Sequence, residues 1–114
     1  MWETREWLDL DEDDPVPREE LVATAEAIDR TDGAAMTAQA DVSEYGAVEA
    51  MRTAVHEEFG GVDVLVNNAG ITVDTKFEDM TREDWDRVVD INLGGVFNCT
   101  KVCFDDIREA EEGR

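Results

Sequence analysis

The ten residues 62–71, VDVLVNNAGI, limit the fold of this chain more than any other stretch. Val62, Val64, Leu65 and Val66 make a short, β-branched apolar run, the composition of a parallel strand covered on both faces. The run stops abruptly at Asn67, Asn68, Ala69 and Gly70. Small residues at a strand tip let backbone approach a flat ligand, where larger side chains would stand in the way.

The flanking patterns place this strand between helices. Val48, Met51, Val55 and Phe59 recur at helical spacing behind Ser43, a candidate N-cap, and Gly60-Gly61 ends the pattern. His56 falls beside that face in the last turn, where the helix dipole alone explains an imidazole. Upstream, AAMTAQADV (34–42) reads as a weaker strand ending in polar groups. An earlier helix opens behind Pro17, carries Leu21, Ala25 and Ile28, and stops at Gly33. Downstream, Thr81-Arg82-Glu83-Asp84 has the form of a capping start. A long helix is predicted from about 82 to 111, with a stripe of Trp85, Val88, Val89, Val96, Cys99, Cys103 and Ile107. The order helix, strand, helix, strand, helix predicts an α/β fold, with a parallel sheet and right-handed crossovers.

At 114 residues the chain suffices for one modest domain, predicted over 17–114, with 1–16 as an acidic extension or linker. Thirty acidic residues against ten basic ones give a net charge of −20. Nucleic acid and anionic membrane would both be repelled, so neither is an expected partner. The acid is spread along the whole chain. With 42% hydrophobic residues and strong periodicity, this suggests a solvated surface of the halophilic cytoplasmic kind rather than wholesale disorder. Structure should then be gained as molar KCl is added. No apolar run approaches the length of a membrane span and no signal-peptide core is visible, so the chain reads as cytoplasmic.

Metal and thiol chemistry find little support. Asp9, Asp11, Asp13 and Glu20 fall at ligand positions of a calcium-loop template, but Asp14 occupies the position that needs glycine. A solvated acidic stretch explains them as well, and no metal site is assigned. Cys99 and Cys103 are four apart in a helical pattern, poorly placed for a mutual disulfide, and read as small core residues.

Three features point to a ligand at the carboxyl ends of the strands, where open parallel sheets bind them. Asp41, beside Val42, can accept an exocyclic amine of the adenine type. Asn68, Ala69 and Gly70 offer an unobstructed backbone. Asn92 sits on the apolar stripe just before Gly94-Gly95, predicting a buried amide in a locally distorted helix with a freed carbonyl. Singly, each has a plainer reading: a helix cap, a turn and an inter-helix hydrogen bond.

Together, ADV (40–42), VDVLVNNAGI and MTREDWDRVVDINLGGVFNCTK (80–101) resemble the short-chain dehydrogenase/reductase family. The stretch after Phe59 looks most like its acetoacetyl-CoA and 3-oxoacyl-ACP reductases. The resemblance implies a partial Rossmann-type sheet of two strands and about three helices. Asp41 and Val42 would then flank adenine, with Asn68, Ala69 and Gly70 along the cofactor and Asn67 supporting the sheet. Asn92 would be the catalytic asparagine that holds a water in the proton relay through its main chain. The implied cofactor is NADP, with NAD left open, and the implied substrate a small-molecule thioester of fatty-acid or polyhydroxyalkanoate metabolism. The 82–111 helix would support a homo-oligomer.

The chain also departs from the family pattern. The Gly-rich loop T-G-x-x-x-G-x-G is not found, the first glycine being Gly33. No Tyr-x-x-x-Lys pair occurs, since Tyr45 is followed at the fourth place by Glu49. In the family's strand order, 3-2-1-4-5-6-7, the two strands here are the third and fourth. The resemblance therefore implies a fragment lacking the first two strands and the C-terminal half, inactive alone. The alternative is a truncated, non-catalytic module that associates with full-length relatives through its long helix.

Overall fold

The structure, a computed structural model, describes residues 18–114. Asp9, Asp11 and Asp13, with the rest of the acidic extension, lie outside the described residues. Helix α1 runs Arg18–Asp29. The Thr31 amide and hydroxyl both donate to the Ile28 carbonyl, at 2.9 and 2.7 Å. The left-handed residue that turns the chain is Asp32, at φ 61, rather than the expected Gly33. Aspartate is among the few side chains that tolerate this region.

Helix α2 spans Tyr45–Phe59 and buries Val48 and Met51. Its C-cap is Gly60 at φ 87, whose N–H closes on the His56 carbonyl at 2.8 Å. The expected Ser43 cap is not formed. Glu44 holds the N-cap position without a side-chain bond, because the Ser43 hydroxyl is spent as a donor to Asp41. Phe59, expected on the buried face, is exposed.

The long helix is not continuous. It opens at Thr81, whose side chain accepts from the Asp84 amide while the Asp84 carboxylate accepts from the Thr81 amide, the reciprocal box read in the sequence. Helix α3, Arg82–Val89, then gives way to a π-helical turn, Asp90–Gly94, before α4, Gly95–Glu109. Such a turn is rare overall and is frequent at functional sites. The distortion lies where Asn92 and the two glycines predicted one.

The core gathers Ala40, Val42, Val48, Met51, Ile91 and Cys99, flanked by Leu65, Ala69, Ile71 and Val102. Hence α2, α4 and the tips of both extended segments share one interior. The buried side of α4 is Gly95, Asn98, Cys99 and Cys103, whereas Val96 is 39% exposed. The predicted stripe counted large apolar residues and so missed Gly95, where the helix touches its neighbour most closely. Arg52 of α2 grips Asp106 of α4 with two parallel bonds, Nε to Oδ2 at 3.0 Å and Nη2 to Oδ1. The guanidinium holds the Asp106 carboxyl below its ordinary range.

The expected two-stranded sheet is not formed among the described residues. Segments 34–42 and 62–76 run without a hydrogen-bond ladder between them. A strand exists only through its neighbour, and in the family order these two segments are not adjacent. The second segment does make one parallel-type bridge: Leu65 donates to the Arg114 carbonyl at 2.7 Å, and Arg114 donates to Asp63 at 2.8 Å. Nor is that segment covered on both faces, since Val64 and Val66 are exposed.

Candidate functional site

The site grows from two tips held by one helix. At the first tip, Asp41 opens a tight turn. Its carbonyl accepts from Glu44 at 3.0 Å, and its Oδ1 accepts both the Ser43 amide at 2.9 Å and the Ser43 hydroxyl at 2.6 Å. These bonds fix the carboxylate and leave Oδ2 for a ligand. Next to it, Val42 is fully buried under Gly95. A Cβ at Gly95 would stand 2.6 Å from Val42 Cγ2, a distance only glycine avoids. Asn98, buried one turn further on, donates from Nδ2 to the Val42 carbonyl at 2.9 Å.

At the second tip, Asn67 donates to the Thr100 hydroxyl at 3.2 Å, tying the segment to α4. Asn68 and Gly70 are exposed, and Ala69 packs half-buried against the core. The following residue, Ile71, is pinned by Asn92 in both directions: its N–H donates to Oδ1 and its carbonyl accepts from Nδ2, each at 2.8 Å. A Cβ on Gly70 would come within 3.4 Å of that Oδ1.

Asn92 is exposed rather than buried as expected. The π turn rotates it off the core face, and Ile91 takes the interior position. Both ends of its amide are nonetheless bonded, one to each side of Ile71. The buried amide is Asn98, which the sequence reading passed over. Its signal was the spacing Ile91, Gly95, Asn98, Val102, a helical row in which a glycine faces the partner backbone.

The structure thus brings Asp41, Val42, Ala69, Gly70 and Asn92 around the π turn and the start of α4. Asn92 and Asn98, six residues apart, lie about 9 Å apart along the helix. A fixed carboxylate, exposed small residues and a clamped backbone suit a flat, amine-bearing heterocycle and its sugar. The fit is of chemistry and access: Gly70 itself is exposed and carries no side chain.

Other candidate chemistry is muted. Desolvation raises the Cys99 thiol to about 11 and pushes Cys103 up as well, so both stay protonated at neutral pH. Among the described residues no group of three His, Cys, Asp or Glu is placed to hold a metal ion. No helix among them is long and apolar enough to cross a membrane.

The two tips and the π turn between them form the candidate site. The sequence matches the short chain dehydrogenase family over residues 16–114, and the chain belongs to that family. It is 49% identical over 74 residues to 3beta-hydroxysteroid dehydrogenase 1 of Eggerthella lenta, covering 65% of this chain and 28% of that protein. It is 42% identical over 79 residues to an acetoacetyl-CoA reductase of Cupriavidus necator, covering 69% and 32%. With a 3-oxoacyl-[acyl-carrier-protein] reductase of Staphylococcus aureus it shares 44% over 82 residues, covering 72% and 33%. The chain therefore spans about a third of the length of these relatives. Among solved structures, an alcohol dehydrogenase from the archaeon Thermococcus sibiricus, complexed with 5-hydroxy-NADP, superposes with a TM-score of 0.72 at 30% identity, covering 79% of this chain and 39% of that one. Aldohexose dehydrogenase of Thermoplasma acidophilum gives 0.61 at 32% identity, covering 65% and 29%. These neighbours place the chain in the α/β class.

Proposed function

We propose that this chain is the part of a nicotinamide-dependent 3-oxoacyl thioester reductase that supports the adenosine side of the cofactor and one member of its proton relay. The observation that carries this reading is the pinning of both tips by one π-distorted helix, through Asn92 to Ile71 and Asn98 to Val42. Asp41 and Val42 hold the adenine ring, and Asn68, Ala69 and Gly70 lie beneath the cofactor. Asn92 uses its side chain to fix the tip, which leaves its main chain to hold a relay water. The bound nicotinamide supplies the hydride that reduces the ketone to a 3-hydroxyacyl product. NADP is favoured over NAD, and acetoacetyl-CoA and 3-oxoacyl-ACP are the candidate substrates. In a complete sheet, segments 34–42 and 62–67 are parallel strands separated by two others.

Proton transfer to the ketone needs an acid close to the carbonyl, and the 114 residues contain no Tyr-x-x-x-Lys pair to supply one. The isolated chain is therefore expected to bind nucleotide weakly and to turn nothing over. A titration with NADPH, followed by an assay of its oxidation with acetoacetyl-CoA, tests both halves. Saturable binding without oxidation is the expected result. Absence of binding removes the nucleotide reading, and turnover removes the fragment reading.

A second reading is favoured by the outer surface of the same helix. Leu93, Phe97 and Phe104 are 69%, 63% and 52% exposed along one side of it. A non-catalytic module that pairs with a second copy or a full-length relative through this face explains them. Such a module co-purifies with a full-length reductase, whereas the fragment reading places a Gly-rich loop upstream and Tyr-x-x-x-Lys downstream in the genomic DNA.

A further inference from the structure

The carbonyl that Asn98 grips and the amide that holds Asp41 belong to the same peptide group. Asn98 Nδ2 donates to the Val42 carbonyl at 2.9 Å. The N–H at the other end of that peptide unit, on Ser43, donates to Asp41 Oδ1 at 2.9 Å. A planar peptide cannot turn one end without the other. The buried amide on α4 therefore sets the direction of the Ser43 N–H, and through it the orientation of the Asp41 carboxylate. Bonds linked in this way also polarise one another. Gly95 makes the arrangement possible, because any Cβ there would force the helix off Val42.

A core role alone does not account for this use of an amide. Position 98 is 9% exposed and faces the same interior as Ile91 and Cys99, where an aliphatic side chain packs without needing a partner. Its donor is spent on the Val42 carbonyl inside the turn, whose peptide N–H joins the Ser43 hydroxyl in holding the Asp41 carboxylate.

We propose that Asn98 is a positioning residue for base recognition: it aims the Asp41 carboxylate, through the Val42–Ser43 peptide, at the exocyclic amine of an adenine nucleotide. This rests on the nucleotide reading above and adds a positioning residue to it. The ligand class is a purine nucleotide with an amine at the six position, selected over one with an oxygen there.

The test compares AMP with IMP, which differ at that position, on the full 114-residue chain. Amide shifts of Asp41, Val42 and Ser43 report binding, and circular dichroism checks the fold. The chain should prefer AMP by about tenfold, the worth of one hydrogen bond to a charged group. Asn98→Leu keeps the volume and removes the donor. It should erase the preference by weakening AMP binding while leaving IMP binding within about twofold. Should the leucine variant not fold, Asn98→Ala, smaller and likewise without a donor, is measured the same way and should show the same loss. A variant that weakens both nucleotides in proportion, or neither, overturns the positioning role and leaves the nucleotide site standing. If the unaltered chain binds neither nucleotide, the site itself is wrong and the inference falls with it.

Discussion

The two tips are held by asparagines of one helix, yet they are built differently. The Val42 tip is buried, sealed under Gly95 and clamped by an inward amide. The tip from Asn68 to Gly70 is open, and its clamp, Asn92, is exposed too. A buried contact makes the first tip part of the core, so its geometry is fixed wherever the domain folds. At the second tip, hydrogen bonds hold backbone that stays accessible.

The largest test of this contrast is Gly95→Ala. The new methyl would overlap Val42 in a closed interior, and overpacking of that kind costs about 2–3 kcal/mol. A shift of the urea midpoint at unchanged m-value measures it. A loss below about 0.5 kcal/mol would mean that the helix does not press on the tip in solution.

That contact also marks the limit of what the sequence revealed. The helix positions, the Thr81 box, the Gly60 stop and the distortion before Gly95 all follow from local rules, and local rules are what a sequence displays. The sheet did not follow, because a strand needs a neighbour and none of the described segments is the neighbour of 34–42. Asn92 was read as buried from an unbroken helical period. The π turn changes that period, and its rotation depends on how closely Gly95 approaches Val42, a tertiary fact. Asn98 was overlooked for the same reason: its worth lies in a carbonyl 56 positions away.

A smaller effect is expected where α2 is fastened to α4. Asp106 is mostly covered and its bond to Arg52 is two-pronged, so Asp106→Asn should cost about 1–2 kcal/mol, between an exposed pair and a buried one. The bond lowers the Asp106 pKa in the folded state. Its contribution is therefore complete above the unfolded value of about 3.9 and is lost as pH falls through the folded value. Acid titration of stability should be shallower in the variant below about pH 4. Equal slopes would show that the pair is not formed.

Asn92→Ala separates the tips. It removes both bonds to Ile71 at an exposed position, a loss of about 1 kcal/mol. Hydrogen exchange should quicken at Ile71 and its neighbours while Ser43 is unchanged. Equal quickening at both tips would mean that they open as one unit, and the contrast between them would vanish.

The smallest effect is expected at Val64, 44% exposed on the segment leading to the open tip. A hydroxyl in place of one methyl at such a position should alter stability by less than about 0.5 kcal/mol, so Val64→Thr is nearly silent if the face meets water. An extended apolar segment with unpaired backbone groups readily recruits a neighbour, however, and acidic surroundings only slow that association. If the substitution instead costs about 1 kcal/mol or more, the face is covered in solution. The melting temperature of the unaltered chain should then rise with protein concentration, as for any fold completed by a second copy. The open segment would in that case be as much a part of a core as the Val42 tip, with the core shared between chains.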